Sequence, residues 1–539
     1  MWLSRGARRP GSAVVVVAAL AAVVSCSPGG SAGARTAEGE SARPPTAPSR
    51  ATPPKPVPSP TKTYPLSTAP RTIPSVRAFE AARGPGWRPG AGSAVVVAKG
   101  SESLADEGRL LAGELKTRFR SSGPVNAGDI ELALSPGRQG AAESYTLTTR
   151  DNRVRITGPD EAGVFYGTRT LKQSLRSGGS VPEGVVRDRP DRPQRGLNVD
   201  IARKYFTAGW IEARLREMAD LKLNTLGLHF SDDQGFRIAS DTHPEVVSAQ
   251  HLSKEEVRRI IALAQSLHIA VVPEIDSPGH LGAVLRAHPD LQLRNTQGTP
   301  RQGAIDISKP GSAKIVDDLL REYAALFPAG WFHVGADEYQ ALTVRDPAAS
   351  YPQLARAAVQ KYGPNARVKD LATGWLNDRA AVVRAAQKKP KAWNDGFFRG
   401  GVVSADKNIE VEYWTGKEYG ARPPQEYLAE GRRLVNLNDE FLYYVLGEPN
   451  QFTYPTGRRI YEQWTPLVLR GTTAVPAGYS GQILGGRLAV WCDLAQAQTQ
   501  EQVAAGIRMP LRAVSQKLWT PGKPALSWPQ FNSLANTLG

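Results

Sequence analysis

From Arg195 onward the chain repeats one unit: a short apolar run, a loop carrying polar side chains, then an amphipathic stretch. This constrains the fold more than anything else in the sequence, because strands alternating with helices pair in parallel through crossovers. Residues 197–201 read as the first strand, and Ile211, Leu215, Met218 and Leu221 recur on one helix face behind it. Residues 225–230 and 270–275 are the second and third strands, and Ser253 and Glu256 between them are spaced as a capping box. The turn Phe327-Pro328-Ala329-Gly330 leads into the fourth strand, residues 331–335. Later strands are expected at 391–393, 409–414, 433–437 and 488–492. The expected fold is α/β: a (β/α)8 TIM barrel over residues 193–539, with its site at the C-terminal ends of the strands.

Those ends are where the polar residues fall. In order they are Asp200 to Arg203, His229 with Asp232 and Asp233, Glu274 with Asp276 and His280, and His333 to Glu338. Trp393-Asn394-Asp395-Gly396, Tyr413-Trp414, Asn436 to Asn438 with Tyr443-Tyr444, and Trp491-Cys492-Asp493 complete the set. Asp337 and Glu338 are adjacent, and neighbours at a strand end point in different directions, so each can meet a different atom of one ligand. Two carboxylates at one pocket floor do not both ionise freely, so one pKa is expected to rise and leave a general acid beside a charged partner. An isolated Asp-Glu pair is more often a solvated strand end; the aromatic frame and the other polar strand ends weigh against that reading here.

Ahead of the barrel, residues 76–192 read as a small α/β domain. Strands are expected at 93–98 and 130–134 with a helix over 104–119 between them, then a hairpin of 144–148 and 154–157 around Arg150-Asp151-Asn152, then a helix over 161–175. No catalytic constellation stands out there, and packing against the barrel is its expected role. Residues 1–25 read as an export signal: Arg5, Arg8 and Arg9 precede an apolar run over 13–24. Val23-Val24-Ser25-Cys26 is similar to a bacterial lipoprotein processing box, which makes Cys26 the expected lipid anchor and places the chain outside the cell at the membrane. A plain secretion signal with an incidental cysteine is the alternative. Residues 26–75, rich in Pro, Ser, Ala and Thr, are expected to form an extended tether. Beyond Cys26 only Cys492 remains, so no intramolecular disulfide framework is expected in the mature chain.

The net charge is +16; residues 1–75 hold nine Lys or Arg and two Glu, or +7, leaving +9 for the rest. That excess favours acidic glycans or wall polymers as partners. No dense basic cluster with nucleic-acid motifs is present, so neither DNA nor RNA is expected.

Taken together, the strand-end motifs resemble the glycoside hydrolase family 20 β-N-acetylhexosaminidases over residues 76–539. The Trp-Asn-Asp-Gly and Tyr-Trp elements are most similar to the branch holding dispersin-type enzymes and lacto-N-biosidases. The resemblance implies a retaining exo-acting hydrolase of terminal β-linked GlcNAc or GalNAc, working by substrate-assisted catalysis without a cofactor. In that scheme the sugar's acetamido oxygen attacks C1 and forms an oxazolinium ion. Glu338 protonates the leaving oxygen and then serves as base, while Asp337 receives the acetamido N–H and stabilises its developing charge. Trp393, Trp414 and Trp491 would box the N-acetyl methyl and the sugar face, excluding water and favouring protonated Glu338. Tyr443, or its neighbour Tyr444, would donate to the acetamido oxygen, and Arg203 would hold the 3- and 4-hydroxyls. Asp232, Asp276 and His280 would support the acid pair. With no close-spaced His pair or Cys ligand set beside them, no metal is expected. Arg195 and Trp375 read as structural.

Two departures from the family pattern bear on substrate. Trp491-Cys492-Asp493 stands where many members have Trp-x-Glu, and Tyr443-Tyr444-Val445 where many have Tyr-Leu-Asp. Lacto-N-biosidases have a similar Trp-x-Asp, so release of a disaccharide, or a dispersin-like action on poly-N-acetylglucosamine, stands as an alternative. A non-catalytic glycan-binding lipoprotein is the rival of another class, and the presence of both Asp337 and Glu338 weighs against it.

Overall fold

The computed structural model describes residues 63–415, 421–520 and 522–539. Its larger part is the expected barrel. The strands are Gln194–Asp200, Thr225–His229, Ala270–Ser277, Trp331–Gly335, Lys389–Trp393, Glu410–Tyr413, Leu434–Asn436 and Ile483–Trp491. Each lies parallel to its neighbour, and the last pairs with both the seventh and the first, which closes the barrel. The strands are buried along nearly their whole length because helices cover the outer face and side chains fill the interior. The eighth strand starts at Ile483, earlier than expected from its apolar run. Its extra length lies against the first strand so closely that a Cβ on Gly485 would sit 1.7 Å from the Gln194 carbonyl. A short further strand, Tyr443–Val445, pairs in parallel with the top of the eighth. The helix Ala208–Asp220 buries Ile211, Leu215 and Met218, and the Ser253/Glu256 capping box is formed in both directions.

The small domain is one mixed seven-stranded sheet. Ala94–Val97, Ile130–Leu134 and the antiparallel hairpin of Tyr145–Arg150 with Arg153–Gly158 are where the sequence places strands. The hairpin turn has both Asp151 and Asn152 at positive φ, 52° and 54°, as a two-residue turn between right-twisted strands requires. The first helix is shorter than expected, Ala105–Leu115: Lys116 adopts a left-handed φ of 55° and ends it. Residues 118–120 instead form an edge strand beside Ala94–Val97. Two strands not foreseen, Ala78–Ala81 and Gly184–Asp188, pair with each other at the opposite edge.

Folded structure also begins before residue 76. Thr72 and Ile73 are buried, and Ile73 exchanges two backbone hydrogen bonds with the Gln173 amide at 2.7 and 2.8 Å. The last residues assigned to the tether therefore belong to the folded unit, because an apolar side chain and a matching amide fix them. The export signal and Cys26 lie outside the described residues. Among the described residues no helix is long and apolar enough to cross a membrane.

The small domain docks on the N-terminal end of the barrel. Arg195, at the start of the first strand, pairs with Glu143 at 2.8 Å, and Lys222, just before the second, meets Asp188 at 3.3 Å and the Tyr145 hydroxyl at 2.9 Å. The Trp519 indole also donates to Asp188, at 3.0 Å. Among the described residues, this leaves the opposite end, where the polar strand ends converge, free of the small domain.

Candidate active site

The fourth strand ends in a strained turn. Gly335, Ala336 and Glu338 all have positive φ, 71°, 85° and 45°, and two of them are not glycine. At Gly335 a Cβ would lie 1.6 Å from Asp276 Oδ1, so only glycine fits. Two carboxyl groups hold the turn. Asp276 Oδ1 accepts from the Ala336 N–H at 3.0 Å, and Asp395 Oδ2 accepts from the Glu338 N–H at 2.9 Å. Such strain persists only where surrounding bonds over-determine it, and it clusters at functional sites. The outcome is two differently placed carboxylates: the Asp337 side chain is 15% exposed and that of Glu338 47%.

His280 links them. Its Nε2 lies 3.3 Å from Glu338 Oε2 and 3.7 Å from Asp337 Oδ2, and its Nδ1 lies 3.3 Å from Asp232 Oδ1. Asp232 in turn meets Arg203 and His229, each at 2.8 Å. His229 reaches Glu274 at 3.1 Å, and Glu274 accepts from the Trp393 indole at 2.7 Å. A continuous buried network thus joins the ends of the first, second, third and fifth strands beneath the Asp337-Glu338 turn.

The network sets the protonation states. Burial works against a charged His280, but Asp232 and then Asp337 outweigh it and hold its pKa well above the ordinary histidine value. Glu338, in contact with that imidazole, is lowered below the ordinary glutamate range. Burial raises Asp337, and burial together with the Asp337 charge raises Asp276 and Asp395 well above theirs. One pKa of the pair does rise, as the sequence suggests, but on Asp337. The expectation of a protonated Glu338 is corrected for the free protein: half exposed and beside a cation, it is ionised at neutral pH. Asp276 and Asp337 lie within hydrogen-bond reach of one another, so a proton on Asp276 is shared with Asp337. Beyond that pairing, Asp337 Oδ1 is buried and receives no N–H or O–H from the described residues.

An aromatic box stands over this floor. Trp393 is 5.8 Å from Trp491, Trp491 is 5.8 Å from Tyr443, and Tyr443 stacks on Trp414 at 5.7 Å with ring planes 2° apart. The Trp414 indole is fixed by a 3.0 Å bond to Asp395. Phe452 closes the far side 6.2 Å from Tyr443; it comes from a loop with no strand pattern, and nothing in the sequence singled it out. Tyr444 points the other way, bonding Gln498 at 3.0 Å and stacking on Tyr454, so the register falls to Tyr443. Arg203 is tied to Asp200 at 3.0 Å and to Asp232, with its guanidinium 5.6 Å from the Trp491 ring centre. Asp493 is exposed at the rim, near enough to help raise the Arg203 pKa after Asp200 and Asp232 have overcome burial. Trp375 and Arg195 are structural as expected: the first donates to Ser277 at 3.0 Å, the second holds the small domain. The roles of Glu274, His229 and Asp395 were not legible, although their positions at strand ends were.

The model of the glycosyl hydrolase family 20 catalytic domain matches residues 193–521, and that of the family's domain 2 matches residues 69–189. The chain belongs to glycoside hydrolase family 20. Among curated relatives of this family 20 chain is a lacto-N-biosidase of Bifidobacterium bifidum, 30% identical over 88% of this chain and 42% of its own length. A β-hexosaminidase of Vibrio furnissii is 27% identical over 69% of this chain and 65% of its own length. The chain thus spans about half the length of the curated relatives it matches. In fold it is similar to the β-N-acetylhexosaminidase of Streptomyces coelicolor, at a TM-score of 0.69 with 23% identity, covering 88% of this chain and 96% of that one. It is also similar to an exo-β-N-acetylglucosaminidase of Vibrio harveyi, at a TM-score of 0.70 with 22% identity, covering 88% and 77%.

Proposed function

We propose that this family 20 chain hydrolyses β-linked N-acetylhexosaminides at the non-reducing end of glycans, with retention, the substrate's own acetamido group acting as nucleophile. The observation that carries the reading is Asp337: a largely buried carboxyl paired with Asp276 beneath an aromatic box, one residue from a half-exposed acid. An acetamido group entering the box gives its N–H to Asp337, and its carbonyl oxygen is then held against C1. Asp276 keeps the shared proton, so Asp337 carries the negative charge that stabilises the oxazolinium ion. Glu338 faces the leaving oxygen. The sugar covers its exposed side, and loss of hydration raises its pKa toward that of a general acid. Inversion at C1 in each of two steps yields net retention.

A second reading has an observation of its own. The similarity to a lacto-N-biosidase runs over 88% of this chain, and the acidic group at the end of the eighth strand is the short, exposed Asp493. Both favour a pocket that accepts a substituent on the sugar and releases a disaccharide. Product masses from chitobiose, lacto-N-tetraose and poly-β-1,6-GlcNAc separate these readings: single GlcNAc from chitobiose supports the first, lacto-N-biose the second, internal cuts a dispersin-like enzyme. Binding without product, unchanged in Glu338→Gln, overturns all three. We also propose export with lipidation at Cys26; a mature protein beginning at another residue, with no acyl mass, refutes it.

A further inference from the structure

Of the chain's seven histidines, His229 and His280 lie in the network above, His333 borders it 3.5 Å from Glu274, and two others meet on the outside of the barrel. His243 comes from the loop after the second strand, and His288 caps the C-terminal end of the helix Gly282–Ala287 in the loop after the third. Glu245 sits between them, its Oε1 2.9 Å from His243 Nδ1 and 2.9 Å from His288 Nε2. One donor atom from each of the three lies within 4.8 Å of the others. The side chains are 15%, 43% and 28% exposed for His243, Glu245 and His288, so an ion reaches them from solvent while their positions are fixed by packing.

The surroundings resemble the support a metal-bound imidazole needs. The far nitrogen of His243, Nε2, is buried, makes no hydrogen bond, and faces Asp318 Oδ2 at 3.5 Å. A carboxylate behind a ligating histidine fixes the tautomer and raises the basicity of the other nitrogen. Asp318 is itself held by Lys314 at 2.6 Å, one turn earlier on the helix Pro310–Leu326. The His243 backbone N–H is fixed by Ser240 at 3.0 Å, and that of His288 by the Val284 carbonyl at 3.1 Å. Two imidazoles and one carboxylate suit a borderline ion such as Zn2+, and match poorly the all-oxygen shells of Ca2+ and Mg2+.

We propose that His243, Glu245 and His288, backed by Asp318, bind a divalent transition-metal ion, with Zn2+ the best fit. Binding draws each nitrogen away from its hydrogen bond with Glu245, releases the protons held there, and leaves open positions for water. The two loops joined in this way are those that carry Asp232 and His280 at their strand-proximal ends. The ion therefore braces the segments beneath the acid pair without touching substrate. His243 and His288 are too far apart in sequence for the spacing of a metal motif, and only the fold brings them together.

The test is calorimetric titration of the chelator-treated protein with Zn2+, and separately with Ca2+, alongside thermal melting. The wild type should bind one Zn2+ in preference to Ca2+ and melt at higher temperature with Zn2+ present. His288→Gln keeps a donor for Glu245 but loses a good ligand, so it should fold, weaken Zn2+ binding about 100-fold or more and lose the melting shift. His243→Gln should do the same, and Asp318→Asn should weaken binding about 10-fold. Zn2+ binding equal in wild type and His288→Gln would place the ion at Asp276, His280 and Asp337 instead and overturn the proposal, as would no binding in the wild type.

Discussion

The barrel interior holds two buried charge networks, one toward the middle and one at the C-terminal end, and they differ in balance. In the first, Lys391 meets Glu410 at 3.0 Å, Glu412 at 3.1 Å and Gln194 at 2.8 Å, while Arg487 pairs with Glu412. Two cations face two carboxylates, so charge balances there, and His333 borders both sets, 3.9 Å from Glu412 and 3.5 Å from Glu274. In the second, Asp200, Asp232, Glu274, Asp276, Asp337 and Glu338 share Arg203, His229 and His280, and Asp395 lies beside Asp337 as a seventh acid. Acids outnumber cations there, so protons must be held on carboxyl groups, and Asp276 and Asp395 are raised accordingly. Burial of charge alone does not mark a site. Excess of one sign and one exposed member do.

This contrast can be broken by substitution, beginning with the largest effect. Glu338→Gln should lower kcat on a chitobiose substrate by about 10²–10⁴-fold with the denaturation midpoint unchanged. A variant that keeps its activity would remove the upper network from the chemistry. Lys391→Met should do the reverse: Glu410 and Glu412 lose their cation, stability falls by about 3–5 kcal/mol in urea unfolding, and kcat of the folded enzyme stays as it was. If instead it loses turnover at full stability, the two networks are one functional unit.

The third effect concerns pH. In the proposed reaction Glu338 must be protonated to donate, so activity is expected below its pKa and is lost as pH rises through it. Since His280 lowers that pKa in the free protein, the alkaline limb of kcat/KM should lie on the acid side of the limb of kcat. His280→Gln should move the limb of kcat/KM upward; a limb that stays in place would assign it to another group. The smallest effect tests the aromatic box. Tyr443→Phe should reduce kcat/KM about 5–10-fold through loss of one hydrogen bond, whereas Tyr444→Phe, bonded outward to Gln498, should leave it unchanged.

Much of the architecture was legible because its signals are local. Apolar runs ending in polar residues located every barrel strand, and the Ser253/Glu256 spacing named a helix start that the fold keeps. What escaped was short or edge structure: Ala78–Ala81 and residues 118–120 are only partly buried, so alternation is weak and pairing partners decide their state. In the site, strand ends supplied Asp337, Glu338, Trp393, Trp414 and Trp491, but not Phe452, which reaches the box from a loop.

The sequence by itself determined the barrel, the acid pair and the aromatic strand ends, since strand periodicity and residue chemistry are properties of neighbours along the chain. Only the tertiary structure decided which carboxyl holds a proton. That depends on a cation, His280, arriving from the loop after another strand at 3.3 Å, and on burial of Asp276 and Asp395 beside Asp337. Electrostatic interaction falls with distance in space and with solvent exposure, and neither is written in residue order.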